Sequence, residues 1–469
     1  MPSFIKTYTL TQQTPMIHFQ SDQPGATLRA TEVKPKLDRF LCKKHGGAEK
    51  LRKEHPDWFG SEDQPALNYK LRFEFTGEKQ FKSETAELEI ESRRIRRNYN
   101  GMDTQAAKDE KRKLRDRINR NNPSAEINRM YFANMVDTKG KRPDEIERLI
   151  RDSYKETVFY PETGSTKLQI VCFIPELLEE ISGCVEEFFL TTNFGTRQSK
   201  GFGGFSISGA ERKISDPIRF LKDKGYRFFY AKAPQSDAAK EPVEREKRLM
   251  DHAMTVYAVL KGGLNLTRRP EEPRYIKSFV QRQFLSEDKQ FGASVGSEKS
   301  FIKKEWPALA TAGRGNQYKD YVFIRALLGL SDTWKYKTGE VISGYNLGEN
   351  DFDVVRFKSP ITVKIVDSYI IFLVERFDAI LGKTFYFLDG RQAAAMNRLT
   401  AYAAKKEYIE KNGRPISTPE QFTEEDVKAL IAGFCRYYSE KAPYKLASFP
   451  PPYCYSANLK LRSCWEAAQ

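Results

Sequence analysis

The sequence predicts an α+β fold in which four strands and two helices form a split βαβ unit, followed by a helix-rich second half. Two observations predict the first part. Within residues 1–210, strand and helix patterns follow the order strand, helix, strand, strand, helix, strand, and a long polar segment separates the second strand from the third. After Ser208, helical periodicity dominates, and this predicts the second half.

The first strand and helix have the most regular pattern. Residues 4–12 alternate between apolar and polar side chains, which predicts a strand with one buried face. Thr31 is the predicted N-cap of the next helix, because its hydroxyl can accept a hydrogen bond from the first turn. Gly46-Gly47 ends this helix, and its apolar stripe consists of Val33, Leu37, Phe40 and Leu41.

The remaining elements complete the unit. Residues 68–76 and 167–174 predict the second and third strands. Residues 80–151 between them are polar, with a basic run at their centre, and predict an insertion of helices. Pro175 suits the first turn of a second helix, after which a glycine-rich segment leads into the last strand. This order is that of a ferredoxin-like, or RRM-like, sandwich.

The second half of the chain is predicted to be mainly helical. One hairpin interrupts it at residues 361–374, with Asp367-Ser368 as a two-residue turn. The stretch from Pro450 onward is predicted to be an irregular arm. We therefore place one domain at residues 1–210 and a second at 211–469. The predicted helices of the second are 241–260, 275–285, 317–330, 390–411 and 419–441.

The charge balance restricts the class of partner. The chain has 469 residues, with 78 Lys and Arg against 63 Asp and Glu, and a formal net charge of +15. Such an excess favours a polyanionic partner, because neutralising phosphates releases condensed counterions. Six scattered cysteines without a Cys-x-x-Cys pair indicate neither a disulfide framework nor a zinc ribbon. No run approaches the ~20 apolar residues of a membrane span, and a cytoplasmic protein is expected.

Residues 194–205 read Phe-Gly-Thr-Arg-Gln-Ser-Lys-Gly-Phe-Gly-Gly-Phe and carry the strongest functional signal. Their glycines can adopt positive φ and bring the backbone close to a ligand, while Arg197, Ser199 and Lys200 can donate to an anion. These are properties of a phosphate-backbone cradle, with Phe202 as an aromatic face for a base. The order Ser-Lys-Gly disfavours a Walker A loop, which needs Gly-Lys-Ser/Thr. An ordinary glycine-rich hairpin with solvated charges is the alternative.

Two further groups of cations accompany this stretch. One lies at the start of the first helix, where free N–H groups and the helix dipole favour an anion. The predicted RNA-binding residues are Arg29, Lys34, Lys36, Arg39, Arg197, Ser199, Lys200, Gly201, Phe202 and Gly203. The other lies in the insertion, where residues 91–120 hold 11 Lys and Arg against 5 Asp and Glu. It is either a second RNA-binding group or a solvated helix face, and consists of Arg93, Arg94, Arg96, Arg97, Lys111, Arg112, Lys113 and Arg115.

Three stretches resemble one family in the same order. Gly-Thr-Arg-Gln-Ser-Lys-Gly-Phe-Gly at residues 195–203 is similar to the glycine-rich loop of the RAMP superfamily, the ferredoxin-like RNA-binding subunits of type III CRISPR effector complexes. Residues 8–20 with 25–41 resemble that family's first strand, loop and helix entry. Phe-Ile-Arg-Ala-Leu-Leu-Gly-Leu at residues 323–330, followed by Arg-Phe-Lys-Ser-Pro at 356–360, resembles its Leu-Gly-Leu and Arg-x-x-Ser-Pro pattern. The resemblance is greatest to the first subunits of Cmr, or type III-B, complexes.

The resemblance implies a non-catalytic, RNA-binding subunit in antiviral defence. Its expected partners are guide RNA, target RNA, RAMP backbone subunits and a Cas10-type subunit, without a membrane. An endoribonuclease that processes CRISPR precursor RNA or cuts target RNA is the alternative. An unrelated basic scaffold is the third reading.

Histidine chemistry bears on the enzymatic alternative. Metal-independent RNA cleavage needs a general base near the 2′-OH, and His is the usual choice. His45 closes the first helix, where related RNA-processing endonucleases place such a base, but a cation at a helix C-terminus is the simpler interpretation. His18 is predicted to be structural and His252 to lie on the surface. The acidic loop at residues 350–353 is predicted to be only a loop, so we expect no metal and no cofactor.

Overall fold

The computed structural model describes most of the chain outside the insertion. The described residues are 4–16, 28–60, 66–76, 90–91, 93–95, 97–98, 104–107, 109–110, 113, 142–153, 165–195, 197–238, 240, 242–265, 275–285, 295–307, 318–330, 333–335, 341–354, 357–449 and 452–465.

The chain divides into two compact units, each assembled from separate stretches of sequence. Unit 1 comprises Met1–Lys224, Lys232–Met250 and Val363–Ile371. Unit 2 comprises Gly225–Ala231, Asp251–Thr362 and Phe372–Gln469.

A four-stranded antiparallel sheet organises unit 1. Its strands are β1 (Ile5–Gln12), β2 (Lys70–Thr76), β3 (Ser165–Val171) and β4 (Phe205–Ser208), in the order β2-β3-β1-β4. Leu10 pairs with Thr166 of β3 and with Ile207 of β4. The helices around it are α1 (Ala30–Lys44), α2 (Ala48–Glu54), α3 (Pro143–Ser153), α4 (Pro175–Thr191), α5 (Pro217–Asp223) and α6 (Gln235–Ala238).

Apolar faces of α1 and α4 form the core of unit 1 with the sheet. Val33, Leu37 and Leu41 of α1 are fully buried, and so are Ile181 and Phe188 of α4. Each buried side chain of this size stabilises the fold by about 1.5–3 kcal/mol. The predicted stripe is confirmed, and Phe40 packs against the same core while partly buried.

Two predicted boundaries in unit 1 were wrong. Arg29, not Thr31, is the N-cap of α1, and no side chain caps that end. Strand β3 ends at Val171, three residues before the predicted end, because Phe173 is 76% exposed and Pro175 already begins α4. Gly46 and Gly47 follow α1 with φ of 84° and 125°, as expected of residues that end a helix.

Unit 2 contains more strand than the sequence predicted. A six-stranded sheet has the order β10-β11-β14-β15-β9-β8. The helix predicted at residues 317–330 was wrong, because this stretch forms β9 and a 3₁₀ turn at Ile324–Leu328. The six strands are β8 (Val295–Ser297), β9 (Asp320–Val322), β10 (Thr333–Lys335), β11 (Val341–Tyr345), β14 (Thr384–Asp389) and β15 (Arg414–Ser417).

The helix predicted at 241–260 is present, those predicted at 275–285 and 419–441 are shorter, and the one predicted at 390–411 is divided into two, while the helices at Glu298–Glu305 and Ala442–Leu446 were not predicted. The stretch at 275–285 begins as β7 (Tyr275–Ile276), which pairs with β6 (Leu264–Asn265) before α8 starts. Thr423 caps α12 through a capping box, so that helix begins after the predicted Pro419. The bounds are α7 (Pro242–Lys261), α8 (Phe279–Leu285), α9 (Glu298–Glu305), α10 (Gly390–Asn397), α11 (Tyr402–Asn412), α12 (Glu424–Glu440) and α13 (Ala442–Leu446).

The predicted hairpin is confirmed and belongs to a third sheet. Its strands are β12 (Ile361–Val366) and β13 (Tyr369–Val374), and Asp367 in the turn has a φ of 53°. The sheet order is β12-β13-β5-β16, where β5 is Phe228–Lys232 and β16 is Arg462–Cys464. The C-terminal stretch was wrongly predicted to be irregular, since a 3₁₀ turn at Tyr453–Asn458 precedes β16. Among the described residues, no helix has both the length and the apolar character needed to cross a membrane.

Candidate nucleic-acid interface

The glycine loop, residues 194–205, connects α4 to β4 in unit 1. Positive φ occurs at Gly195 (76°), Gly201 (90°) and Gly203 (70°), and also at Arg197 (57°). Arginine adopts this left-handed region at a cost that glycine avoids. The loop therefore has the backbone conformation that its glycine content predicted, with one exposed cation at its tip.

Steric contacts exclude a side chain at Gly203 and crowd one at Gly201. A Cβ atom at Gly203 would lie 1.8 Å from the carbonyl oxygen of Phe194, and one at Gly201 would lie 3.2 Å from Cγ1 of Val363. The N–H of Phe194 donates to the carbonyl of Gly203 at 2.9 Å, which explains the first contact. Because the two chain segments touch, no side chain fits at Gly203.

Backbone donors of the loop are largely satisfied within unit 1. Gly203 N donates to the carbonyl of Pro15 at 2.8 Å, Gly204 N to the hydroxyl of Thr14 at 2.7 Å, and Gly195 N to the carboxylate of Glu32 at 2.5 Å. The protein itself thus holds the loop in shape. The expected cradle of backbone N–H groups is correspondingly reduced, because these donors already have acceptors.

A buried lysine holds the base of the loop. Lys364 has no solvent exposure, and its ammonium donates to the carbonyls of Thr192 (2.9 Å) and Phe205 (3.2 Å) and to Oδ1 of Asn193 (3.1 Å). Burial without a neighbouring carboxylate lowers the pKa of Lys364 to about 7. Asn193 also donates to the carbonyls of Gln198 and Val363, each at 2.7 Å.

Sequence reasoning missed this anchor. The signal was present, because Lys364 is the single charged residue of β12, in which all six residues are buried. A lysine inside such a strand needs several acceptors, and carbonyl groups supply two of them here.

Helix α1 contributes Lys36 to the loop. Its ammonium donates to the carbonyl of Asn193 at 3.0 Å, to Oε1 of Gln198 at 3.0 Å and to Oε1 of Glu32 at 3.2 Å. The structure thus brings the helix start and the loop together, as expected. The ammonium of Lys36 also lies 4.8 Å from the centre of the Phe194 ring, and the predicted contact of Lys36 with RNA stays a prediction.

Lys34 lies apart from the loop. Its ammonium contacts the buried carboxylate of Asp38 at 2.9 Å, the carbonyl of Leu67 at 2.8 Å and the ring face of Tyr69 at 4.4 Å. These contacts connect α1 to the segment that precedes β2. Lys34 thus stabilises the packing of α1 against this segment, and its predicted contact with RNA stays a prediction.

The remaining predicted residues differ in accessibility. Arg197 and Arg39 are exposed, while Arg29, Ser199 and Lys200 are half-buried. Phe202 is only 1% exposed, so the expected aromatic face is not offered to a base. The accessible chemistry of the loop is cationic and hydroxylic.

A polar cavity lies beside β1 and β4 and was not predicted from the sequence. Its volume is about 420 Å³. Arg212 makes a bidentate pair with Asp367 in its wall, with nitrogen–oxygen distances of 3.2 and 2.7 Å. The rest of the lining is mostly polar, with the hydroxyl and amide groups of Thr11, Gln13, Ser206 and Ser208 beside the charged Arg245 and Glu246. The alternation of serines along β4 was the signal available in the sequence.

The basic insertion is only partly described. Arg94 and Arg97 both contact the carboxylate of Glu147 in α3, at 2.8 and 2.6 Å. Their guanidinium groups hold the pKa of Glu147 down to about 2. Arg93 is half-buried and Lys113 is exposed. Arg96, Lys111, Arg112 and Arg115 lie outside the described residues.

His45 and His55 lie close together in unit 1, with ring centroids 6.4 Å apart. His45 contacts the carboxylate of Glu180 at 3.2 Å and lies beside His55 and Trp58. Burial opposes ionisation of Glu180, but hydrogen bonds from Lys44 and His45 outweigh it and lower its pKa.

Two other histidines, His252 and His18, were also assigned positions from the sequence. His252 was wrongly predicted to lie on the surface, since it is fully buried and contacts the hydroxyl of Ser456 at 2.9 Å. His18 lies outside the described residues. In the acidic loop, Asp353 pairs with Lys383 at 2.6 Å, and the described residues contain no group of His, Cys, Asp or Glu arranged to hold a metal ion.

Fold and site together define a basic α+β protein whose glycine loop is fixed between a helix, a strand and a distant hairpin. Family models identify it further: the Cmr1 N-terminal domain matches residues 4–264 and the Cmr1 C-terminal domain matches residues 275–447. The chain therefore belongs to the Cmr1 family, and it is a subunit of a type III CRISPR complex that assembles with other Cmr subunits. The family resemblance drawn from its motifs is confirmed. No curated protein and no solved structure was found to be similar to it.

Proposed function

We propose that this chain is a non-catalytic RNA-binding subunit, which holds guide RNA, target RNA or both through the glycine loop. The observation that supports this proposal best is the structure of the loop. Contacts within unit 1 fix its backbone, and its tip presents the exposed Arg197 together with the half-buried Ser199 and Lys200. A fixed loop loses little entropy when it binds, so its cations can hold a phosphodiester backbone without ordering first.

The sheet of unit 1 supports the same proposal. Its order β2-β3-β1-β4, with antiparallel neighbours throughout, is that expected of a split βαβ, ferredoxin-like unit. RAMP proteins use such a unit for RNA. The formal net charge of +15 adds a sequence-independent attraction to RNA.

The non-catalytic role is part of the proposal. His45 lies in a contact with Glu180 at the end of α1, where a cation also offsets the helix dipole. Cleavage would need a base placed beside the 2′-OH with a stabiliser for the departing oxygen. We assign His45 a structural role on the basis of these contacts.

The test removes the two cations of the loop tip. Arg197→Ala/Lys200→Ala should weaken single-stranded RNA binding regardless of sequence, because phosphate contacts carry no base information. The slope of log affinity against log salt should fall in magnitude by about 1.4, since each lost phosphate contact contributes about 0.7. Fluorescence anisotropy at several salt concentrations measures both quantities.

A matched control uses Arg219→Ala/Lys224→Ala, which removes two exposed cations of unit 1 outside the loop. It should leave the slope within error of wild type. Equal effects of the two double variants would refute a specific role of the loop. Metal-independent cleavage of a repeat-containing RNA by the purified chain, abolished by His45→Ala, would replace the proposal with the endoribonuclease alternative.

A further inference from the structure

Unit 2 contains a pocket that shares no lining residue with the glycine loop. Its volume is about 330 Å³, within the range of small-ligand sites. One wall is aromatic, formed by Phe323 and the half-buried Trp334. Another wall is cationic, formed by Lys261 and Arg325.

The motif at residues 323–330 builds this pocket. Ile324, Ala326, Leu327 and Leu328 of its 3₁₀ turn are fully buried in the core, which leaves Arg325 as the member of the turn that lines the pocket. Gly329 ends the turn with a φ of 99°, and its carbonyl accepts a hydrogen bond from Lys261 at 2.6 Å. A single short motif therefore places a cation and orients a second one.

Positive charge exceeds negative charge around the pocket. Glu298 is fully buried, accepts a hydrogen bond from Gln281 at 2.9 Å and pairs with Arg325. This carboxylate also faces Lys261 and Lys299. Burial and then the charge of Arg325 lower the pKa of Lys261 to about 8, and the same two causes lower that of Lys299. Three cations around one carboxylate form an environment that an additional anion would stabilise.

Aromatic groups stand next to these cations. The ring of Trp334 packs against Phe387 with centroids 4.7 Å apart, which fixes its plane. Tyr275 is 43% exposed, and the charge of Arg325 opposes the rise in its pKa that burial causes. An oriented indole beside two cations is a combination that binds a base by stacking and its phosphate by charge.

We propose that this pocket holds one nucleotide of a single-stranded RNA, with its phosphate on Lys261 and Arg325 and its base against Trp334. The inference rests on the proposed RNA-binding function and adds a second contact, in unit 2, to that of the glycine loop. It assigns the motif at residues 323–330 a role in RNA binding, in addition to the packing of its buried side chains.

The test compares variants of the full chain by fluorescence anisotropy with a labelled single-stranded RNA of mixed sequence. Trp334→Leu should weaken binding about 5- to 150-fold, the effect of losing one base–aromatic stack, while Trp334→Phe retains most of the affinity. Trp306→Leu is the matched control, because Trp306 is a half-buried tryptophan of unit 2 outside the pocket lining.

A second pair of variants tests the phosphate contact. Lys261→Gln should lower the magnitude of the salt slope by about 0.7, whereas Lys277→Gln, at an exposed position of unit 2, should not change it. Thermal unfolding of each variant separates loss of binding from loss of fold.

The outcomes distinguish this inference from the proposed function. If wild type binds RNA but Trp334→Leu and Lys261→Gln match their controls, the pocket inference fails and the proposed function stands. If wild type binds no RNA, the proposed function fails and the inference fails with it. Uridine monophosphate is the probe in that case: Trp334-dependent binding would make the pocket a site for a free nucleotide. Inorganic phosphate bound through Lys261 without dependence on Trp334 would reduce it to a simple anion site.

Discussion

At the scale of single residues, steric contacts restrict which residues the glycine loop can contain more strictly than charge does. Gly203 and Gly183 show the contrast within one unit. A Cβ at Gly203 would overlap the carbonyl of Phe194, while a Cβ at Gly183 in α4 would have no atom within 4 Å. The same substitution should therefore have opposite effects at the two positions.

Gly203→Ala should destabilise the chain by at least about 3 kcal/mol, because the overlap forces two backbone segments apart and the φ of 70° is strained for alanine. Gly183→Ala should stabilise it by about 0.5–1 kcal/mol, the usual gain within a helix. Chemical denaturation measures both changes. Wild-type stability of Gly203→Ala would show that the two segments do not touch in solution.

Lys364 leads to a prediction about pH. Its pKa is about 7 in the folded chain and 10.5 in the unfolded chain, so the unfolded chain binds more protons between these values. The contribution of Lys364 to stability therefore rises with pH across this window, with a slope approaching about 1.4 kcal/mol per pH unit, and is lost as the pH falls towards 7.

Lys364→Met should abolish this contribution. The free energy of unfolding of wild type relative to the variant should increase from pH 7 to pH 9.5. Lys358→Met, at a side chain 57% exposed, is the control and should give a curve parallel to wild type. Parallel curves for Lys364→Met as well would mean that the ammonium is not buried.

At the scale of elements, α1 positions two lysines with separate tasks. Lys34 contacts Asp38, which is buried, whereas Lys36 contacts the glycine loop. Lys34→Met should destabilise the chain by about 2–4 kcal/mol, because it leaves a buried carboxylate without its cation, and the RNA affinity of the folded protein should not change. Lys36→Met should instead increase hydrogen exchange at residues 194–205.

Denaturation together with hydrogen exchange tests this division. Lys43→Met serves as the control, since Lys43 is exposed in the last turn of the same helix. If Lys34→Met weakened RNA binding at unchanged stability, Lys34 would be a phosphate contact after all.

Elements of unit 1 were predictable because their periodicity is long and regular. Seventeen residues of α4 carry eight buried side chains at helical spacing. The strands of unit 2 gave weaker signals: β8, β9 and β10 have three residues each, too few for an alternating pattern to separate them from loop. The apolar run 321–328 was predicted to be part of a helix. Its side chains are buried by packing against neighbouring segments, and such packing cannot be recognised from periodicity.

At the scale of the whole molecule, the candidate site could be predicted only where its residues are local in sequence. Positive φ in the glycine loop followed from its composition, and the polyanionic partner class followed from the net charge. Asn193 and Lys364 lie 171 residues apart. No local pattern could pair them, because tertiary contacts bring them together.

Because of that separation, the ribosome makes the glycine loop well before Lys364. A ribosome that has completed β4 must still add 156 residues, from Ser208 to Lys364, before the lysine under the glycine loop exists. At about 5–20 residues per second this takes about 8–30 s. During that time the nascent loop lacks its cationic anchor, and the carbonyls of Thr192 and Phe205 lack the ammonium as a donor. The translation rate over the second half of the message thus sets how long chaperones, proteases and unrelated RNA can reach the loop before Lys364 is made.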